Sequence, residues 1–180
     1  AQLAVASAIR RSWVPTRRVL VFGAGRDSRM VCAAATHGQR GRAVFVEDSP
    51  EWAALVRKDL SDYLMARNLP EDSCVVKDVT YGTHRAHWAE WLGRGPELAQ
   101  RVLDQINEQR QSFDVVVVDG PCGCNDLCPG RMAPLAAAVE LAAPDHGVVF
   151  VDDYDRLVER VWANTMLRPN FEHEVLVQDT

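Results

Sequence analysis

Acids and glycines collect at the ends of short β-branched runs. RVLVF leads into Gly23-Ala24-Gly25-Arg26-Asp27-Ser28, RAVFV into Glu47-Asp48, VVVV into Asp119-Gly120, and VVFV into Asp152-Asp153. Gly23 and Gly25 would allow a tight turn and the close approach of a nucleoside, although Ser28 occupies the third glycine position of the dinucleotide fingerprint. Glu47 lies 22 residues beyond Gly25, the distance at which an acid accepts hydrogen bonds from a ribose diol. A tight turn followed by a solvated acid is the plainer alternative.

The charge near this turn discriminates between ligands. A dinucleotide would set its pyrophosphate on the following helix N-terminus, where Asp27 would repel it. S-adenosylmethionine carries a sulfonium and no phosphate, so the acids favour the methyl donor over NAD. Asp119, Asp152 and Asp153 at adjacent strand tips could hold a divalent cation through oxygen ligands, or Asp119 could act as a base toward a hydroxyl, with Asp153 second. Alternatively Asp119 only accepts hydrogen bonds from the loop amides around Gly120. Tyr81 and Thr83 follow a third apolar run and could line an acceptor cleft.

Such tips need a sheet to align them. Strands are expected over residues 18–23, 42–47, 74–79, 113–119, 147–152 and 174–177. Between them lie helices over 30–36, from Ser49-Pro50 onward, over 86–110 with a break near 93–96, and over 131–143 and 155–167. Asp27 or Ser28 suits the N-cap of the first helix and Ser49 that of the second. Trp52, Leu55, Val56, Leu60 and Leu64 keep helical spacing. Val115 to Val118 are four valines without alternation, the mark of a central parallel strand covered on both faces. The alternation predicts a Rossmann-like, doubly wound, mostly parallel α/β sheet, ending before a seventh strand.

The chain has 180 residues, 47% hydrophobic and 25% charged, which suits one globular domain over 1–180, with 1–17 as an N-terminal helix and lead-in. A formal charge of -5 gives no field to attract nucleic acid. No apolar stretch reaches the length of a membrane-spanning segment. Five cysteines are too few for a disulfide framework. Cys122, Cys124 and Cys128 could supply three thiolates to zinc without an obvious fourth ligand, the alternatives being free thiols or one disulfide. His84 and His87 are read as solvated.

In order, VFGAGRDS, VFVEDSPEW, VTYGT, FDVVVVDGP, PGRMAPLAAAVELA and VFVDDYDRLVE resemble the plant polysaccharide-biosynthesis domain that includes glucuronoxylan 4-O-methyltransferases. The most specific piece is Pro129-Gly130-Arg131-Met132. The resemblance implies a class I, S-adenosylmethionine-dependent O-methyltransferase acting on a glycan hydroxyl, first of all the 4-hydroxyl of a glucuronic acid residue in a polysaccharide. By position, Gly23, Gly25, Asp27 and Ser28 would form the donor turn, Glu47 with Asp48 beside it would hold the ribose, and Asp119 would sit by the transferring methyl. Asp153, Asp155 and Arg156 would occupy the adjacent strand end. A glucuronate carboxylate would call for a bidentate guanidinium, with Arg131 the first candidate and Arg156 the second. Family members are usually Golgi proteins with an N-terminal anchor, so a Golgi location is implied if such an anchor precedes this chain, and a cytoplasmic one otherwise. Arg26 and Asp152 stand where the family tends to carry histidine, and cysteines are not expected at 122 and 124.

Two other functions fit the same residues: metal-assisted methylation of a catechol-like or natural-product hydroxyl, and a non-catalytic interaction module that keeps the fold.

Overall fold

The computed structural model describes residues 17–37 and 41–172. The N-terminal lead-in and the sixth strand expected over 174–177 therefore lie outside the described residues, apart from Arg17. Five strands form one parallel sheet: β1 (Arg18–Phe22), β2 (Arg42–Glu47), β3 (Cys74–Asp78), β4 (Val115–Val118) and β5 (Val148–Val151). Their spatial order is β3-β2-β1-β4-β5. Helices α1 (Ser28–Ala35), α2 (Pro50–Ala66), α3 (Gly95–Ile106) and α4 (Met132–Leu141) make the crossovers, and α5 (Leu157–Met166) follows β5. The expected helix over 86–110 is divided, with 3-10 geometry over Arg85–Trp91 and α3 beginning at Gly95. Gly93 adopts a φ of +84° between the two parts.

Alternate residues of the central strands enter two cores. Leu20, Phe22, Val44, Val46, Val116 and Val118 pack with α3, α4 and α5. Val19, Val21, Ala43, Phe45, Val115 and Val117 pack with α1 and α2. This two-sided burial is why β4 is uniformly apolar. Helix α4 shows the same logic, with eight of its ten residues buried, because it lies between α3 and α5.

The helix starts follow local chemistry unevenly. Ser49 caps α2 as expected, its hydroxyl accepting from the Trp52 amide, and Pro50 opens the helix. Asp27 occupies the N-cap position of α1 without a side-chain cap. The helical spacing in α2 buries Val56, Leu60 and Leu64 but leaves Trp52 and Leu55 exposed. A disulfide joins Cys32 of α1 to Cys74 of β3 across 42 residues, and a second joins Cys122 to Cys128.

Register is what positions the site. Phe22 pairs with Val46 on one side and Val118 on the other, and Val118 pairs with Val151. Gly23, Glu47, Asp119 and Asp152 are the residues that follow, so they emerge in a row at the carboxyl edge. The order reverses between β1 and β4, the switch point at which open parallel sheets bind ligands.

Candidate functional site

At this switch point the exit loops of β1 and β4 touch. Gly23 has a φ of +101°, and a Cβ placed on it would lie 2.9 Å from the Gly120 amide nitrogen. A Cβ on Gly120 would lie 2.7 Å from Gly23 Cα. Only glycine fits at either position. The Asp119 and Gly120 amides both donate to Phe22 O, and the Gly120-Pro121 bond is cis.

Glu47 secures the turn from the β2 side. Its Oε2 accepts from the Ala24 amide at 2.7 Å and its Oε1 from the Ser49 amide at 2.9 Å. Each oxygen keeps a further lone pair for a ligand hydroxyl. Ser28 supports the turn from beneath: it is buried, its Oγ accepts from the Gly25 amide at 3.0 Å, and it is not among the residues lining the hollow above. The expected direct contact between Ser28 and a donor is therefore replaced by a bracing role.

That hollow, about 330 Å³, is lined by Gly23, Ala24, Gly25, Asp27, Glu47, Asp48, Ser49, Trp52, Asp119, Gly120, Pro121 and Cys122. Glu47 and Asp119 thus face one cavity. Four carboxylates and no guanidinium or ammonium contribute to its lining. Burial, followed by the charge of Glu47, raises the Asp48 carboxyl above its ordinary value. Trp52 was expected only to keep the helical stripe; it offers an exposed indole at the rim, a role hidden by its i, i+3 relation to Leu55.

Asp119 is the lining acid whose proton affinity is raised furthest. Its carboxyl is pushed up to about 6, first by burial, then by a hydrogen bond to Asp152 and that residue's charge, with Arg131 opposing and Asp27 adding a little. A carboxylate so placed is a competent proton acceptor near neutral pH.

The arginines and remaining acids depart from expectation. Arg131 is buried, and its donors are spent on Asp152 O at 2.6 Å, Asp153 Oδ2 at 2.7 Å and, more weakly, Pro121 O at 3.4 Å. It also lies 3.7 Å from Asp119 Oδ1. Its first duty is to tie the β4 loop to the β5 loop, so it has no free fork for a substrate carboxylate. Arg156 pairs with Asp153 at 2.8 Å and remains one-third exposed, leaving part of its guanidinium accessible.

Asp153, in a left-handed backbone conformation, turns its carboxylate to both arginines. Asp119, Asp152 and Asp153 consequently do not converge on one ion; among the described residues only Cys122, Cys124 and Cys128 bring three ligand atoms together. The guanidiniums decide this, because each satisfies a carboxylate more simply than a shared cation would. Tyr81 is buried in the core with its hydroxyl unpartnered, and Thr83 donates to Pro129 O. Neither lines the hollow. Burial raises the Tyr81 phenol well above its ordinary value.

Comparison with known proteins agrees with the motif resemblance. The family model described as IRX15/IRX15L/GXM matches residues 96–177. Arabinogalactan O-methyltransferase 1 of Arabidopsis thaliana is 30% identical over 93% of this chain and 60% of its own length. Glucuronoxylan 4-O-methyltransferase 3 of the same plant is 31% identical over 86% of this chain and 53% of its own. The chain thus spans between half and three-fifths of these curated relatives.

The fold is that of class I methyltransferases. A predicted O-methyltransferase from Agrobacterium tumefaciens superposes with a TM-score of 0.53 at 15% identity, covering 82% of this chain and 59% of that one. Precorrin-6y C5,15-methyltransferase from Geobacter metallireducens gives 0.53 at 15% identity, covering 94% and 70%.

Proposed function

We propose that this chain is the donor-binding catalytic domain of an S-adenosylmethionine-dependent O-methyltransferase acting on a polysaccharide hydroxyl, with the 4-hydroxyl of a glucuronic acid residue as first candidate. One observation carries the donor assignment: the switch-point hollow is lined by Asp27, Glu47, Asp48 and Asp119 with no basic side chain. Such a lining attracts a sulfonium and repels a pyrophosphate. The names of the relatives support the polysaccharide.

The residues fit the donor. Gly23, Ala24 and Gly25 would form the floor against its amino-acid portion, Glu47 would accept from the ribose diol, and Trp52 would cover the base. S-adenosylmethionine supplies an electrophilic methyl that needs only an aligned oxygen for in-line displacement. Asp119 takes the proton that the acceptor hydroxyl gives up, and its hydrogen bond with Asp152 raises its affinity for that proton. Arg131 keeps both acids in place while biasing Asp119 toward its ionised form. Arg156, partly free at the rim, is the group left to meet an acceptor carboxylate. A divalent cation on Asp119, Asp152 and Asp153 does not fit, because Asp153 is committed to two guanidiniums. The proposed chemistry therefore uses Asp119 as a base without a metal.

Calorimetry with S-adenosylhomocysteine, followed by transfer of labelled methyl to glucuronoxylan and arabinogalactan oligosaccharides and to a catechol, tests the proposal. The expected result is micromolar product binding and label on a glycan. Absence of product binding overturns the donor site, and label on the catechol alone overturns the acceptor class.

A further inference from the structure

The loop from Pro121 to Arg131 carries a second constellation that methyl transfer does not use. We propose that Cys122, Cys124 and Cys128, with all three sulfurs reduced, form a three-thiolate site for a thiophilic d10 cation of the zinc class. The Cys122–Cys128 disulfide is then the closed form of the same loop. The three sulfurs lie within 4.8 Å of one another. Cys124 Sγ is 3.7 Å from Cys122 Sγ and 3.8 Å from Cys128 Sγ. A tetrahedral ion with bonds of about 2.3 Å to sulfur separates its ligand sulfurs by about 3.8 Å.

Two edges of the ligand triangle therefore already have the required length. The third is spanned by the disulfide, and Cα atoms 5.3 Å apart let the freed sulfurs separate by side-chain rotation alone. Hydrogen bonds hold the loop in addition to the disulfide. Asn125 Oδ1 accepts from the Leu127 and Cys128 amides, Gly130 N donates to Cys122 O, and Arg85 N donates to Cys128 O. Asn125 Nδ2 lies 3.6 Å from Cys124 Sγ, placed to stabilise a thiolate. A Cβ on Gly123 would lie 2.3 Å from Glu159 Oε1 and would have to displace that buried carboxylate, whose two oxygens have no hydrogen-bond partner.

The chemistry balances with a dithiol or phosphine reductant. Two electrons pass to the Cys122–Cys128 bond, the reductant is oxidised, and two thiols result. Binding of a divalent ion by the three thiols then releases three protons and leaves one tetrahedral position to water. Selective reduction follows from the exposure of one sulfur: Cys122 is exposed while its partner Cys128 is buried, whereas Cys32 and Cys74 are both buried. Because Cys122 also lines the donor hollow, the loaded ion would brace one of its walls.

The test treats the intact chain with a phosphine reductant, removes it anaerobically, and adds zinc or cobalt(II). Metal content is measured together with sulfur-to-cobalt charge-transfer absorption, and alkylation with mass spectrometry identifies which cysteines were reduced. Expected are one equivalent bound, charge transfer in the reduced chain only, and Cys32–Cys74 still closed. Cys124→Ser, at an exposed position that leaves both disulfides, should bind at least about tenfold more weakly with an unchanged circular-dichroism spectrum. No charge transfer after verified reduction of Cys122 and Cys128, or equal binding by a folded C124S, overturns the proposal. Neither donor nor acceptor enters the measurement, so its result is separate from the methyl-transfer reading.

Discussion

Replacing Asp119 with asparagine should stabilise the protein while removing its activity. The Asp119 carboxyl moves from 3.8 when unfolded to about 6 when folded. A raised value means that the folded state holds the proton more tightly. The protonated form's contribution is therefore complete below about pH 4 and lost as pH climbs through about 6, so ionised Asp119 burdens the fold at pH 7.5. The gap between those two values would be worth about 3 kcal/mol at full burial. The side chain is 45% exposed, however, and solvent screening reduces the expected gain to about 1 kcal/mol. Asparagine keeps a donor for Asp152 without the charge.

Urea denaturation of both proteins should thus show Asp119→Asn more stable by about 1 kcal/mol at pH 7.5, or about 2–4 °C in melting temperature, with no difference near pH 4. Methyl transfer should fall by about 10²-fold or more. A variant no more stable at pH 7.5, a difference that does not change with pH, or an undiminished rate would refute this account of Asp119.

Three further outcomes are expected. Arg131→Gln removes the charge that favours ionised Asp119, so the acidic limb of the pH–rate profile should move above its parental midpoint near pH 6, while Arg131→Lys should keep more of the parental profile. Gly23→Ala meets both a φ of +101° and the Gly120 amide; it should cost about 1–3 kcal/mol in thermal or urea unfolding and abolish calorimetric binding of S-adenosylhomocysteine. Opening Cys32–Cys74 by a double serine substitution frees a 42-residue loop and should lower unfolding stability by about 4 kcal/mol.

The strands and their order of chemistry were legible because parallel sheets leave uninterrupted apolar runs and expel acids and glycines at their ends. Gly23, Glu47 and Asp119 could thus be assigned to one edge from residue type alone. The direction in which a side chain turns was not legible. Arg131 finds its partners on Asp152 and Asp153, about twenty residues away in the loop after the neighbouring strand, and no local pattern records that choice. The motif resemblance puts Ser28 in the donor turn, yet the Gly25 amide claims its hydroxyl. Helical spacing groups Trp52 with Val56, Leu60 and Leu64, whereas Trp52 lies exposed at the rim of the hollow. The Cys32–Cys74 pairing was also hidden, since 42 residues separate the two cysteines.

The backbone contact between Gly23 and Gly120 makes two sequence-distant loops behave as a single mechanical part. Any displacement of the glycine turn must carry the root of the Asp119 loop with it. Under the proposed methyl transfer, changes that adapt the site to another acceptor would therefore begin beyond this weld, on the outward side of Pro121.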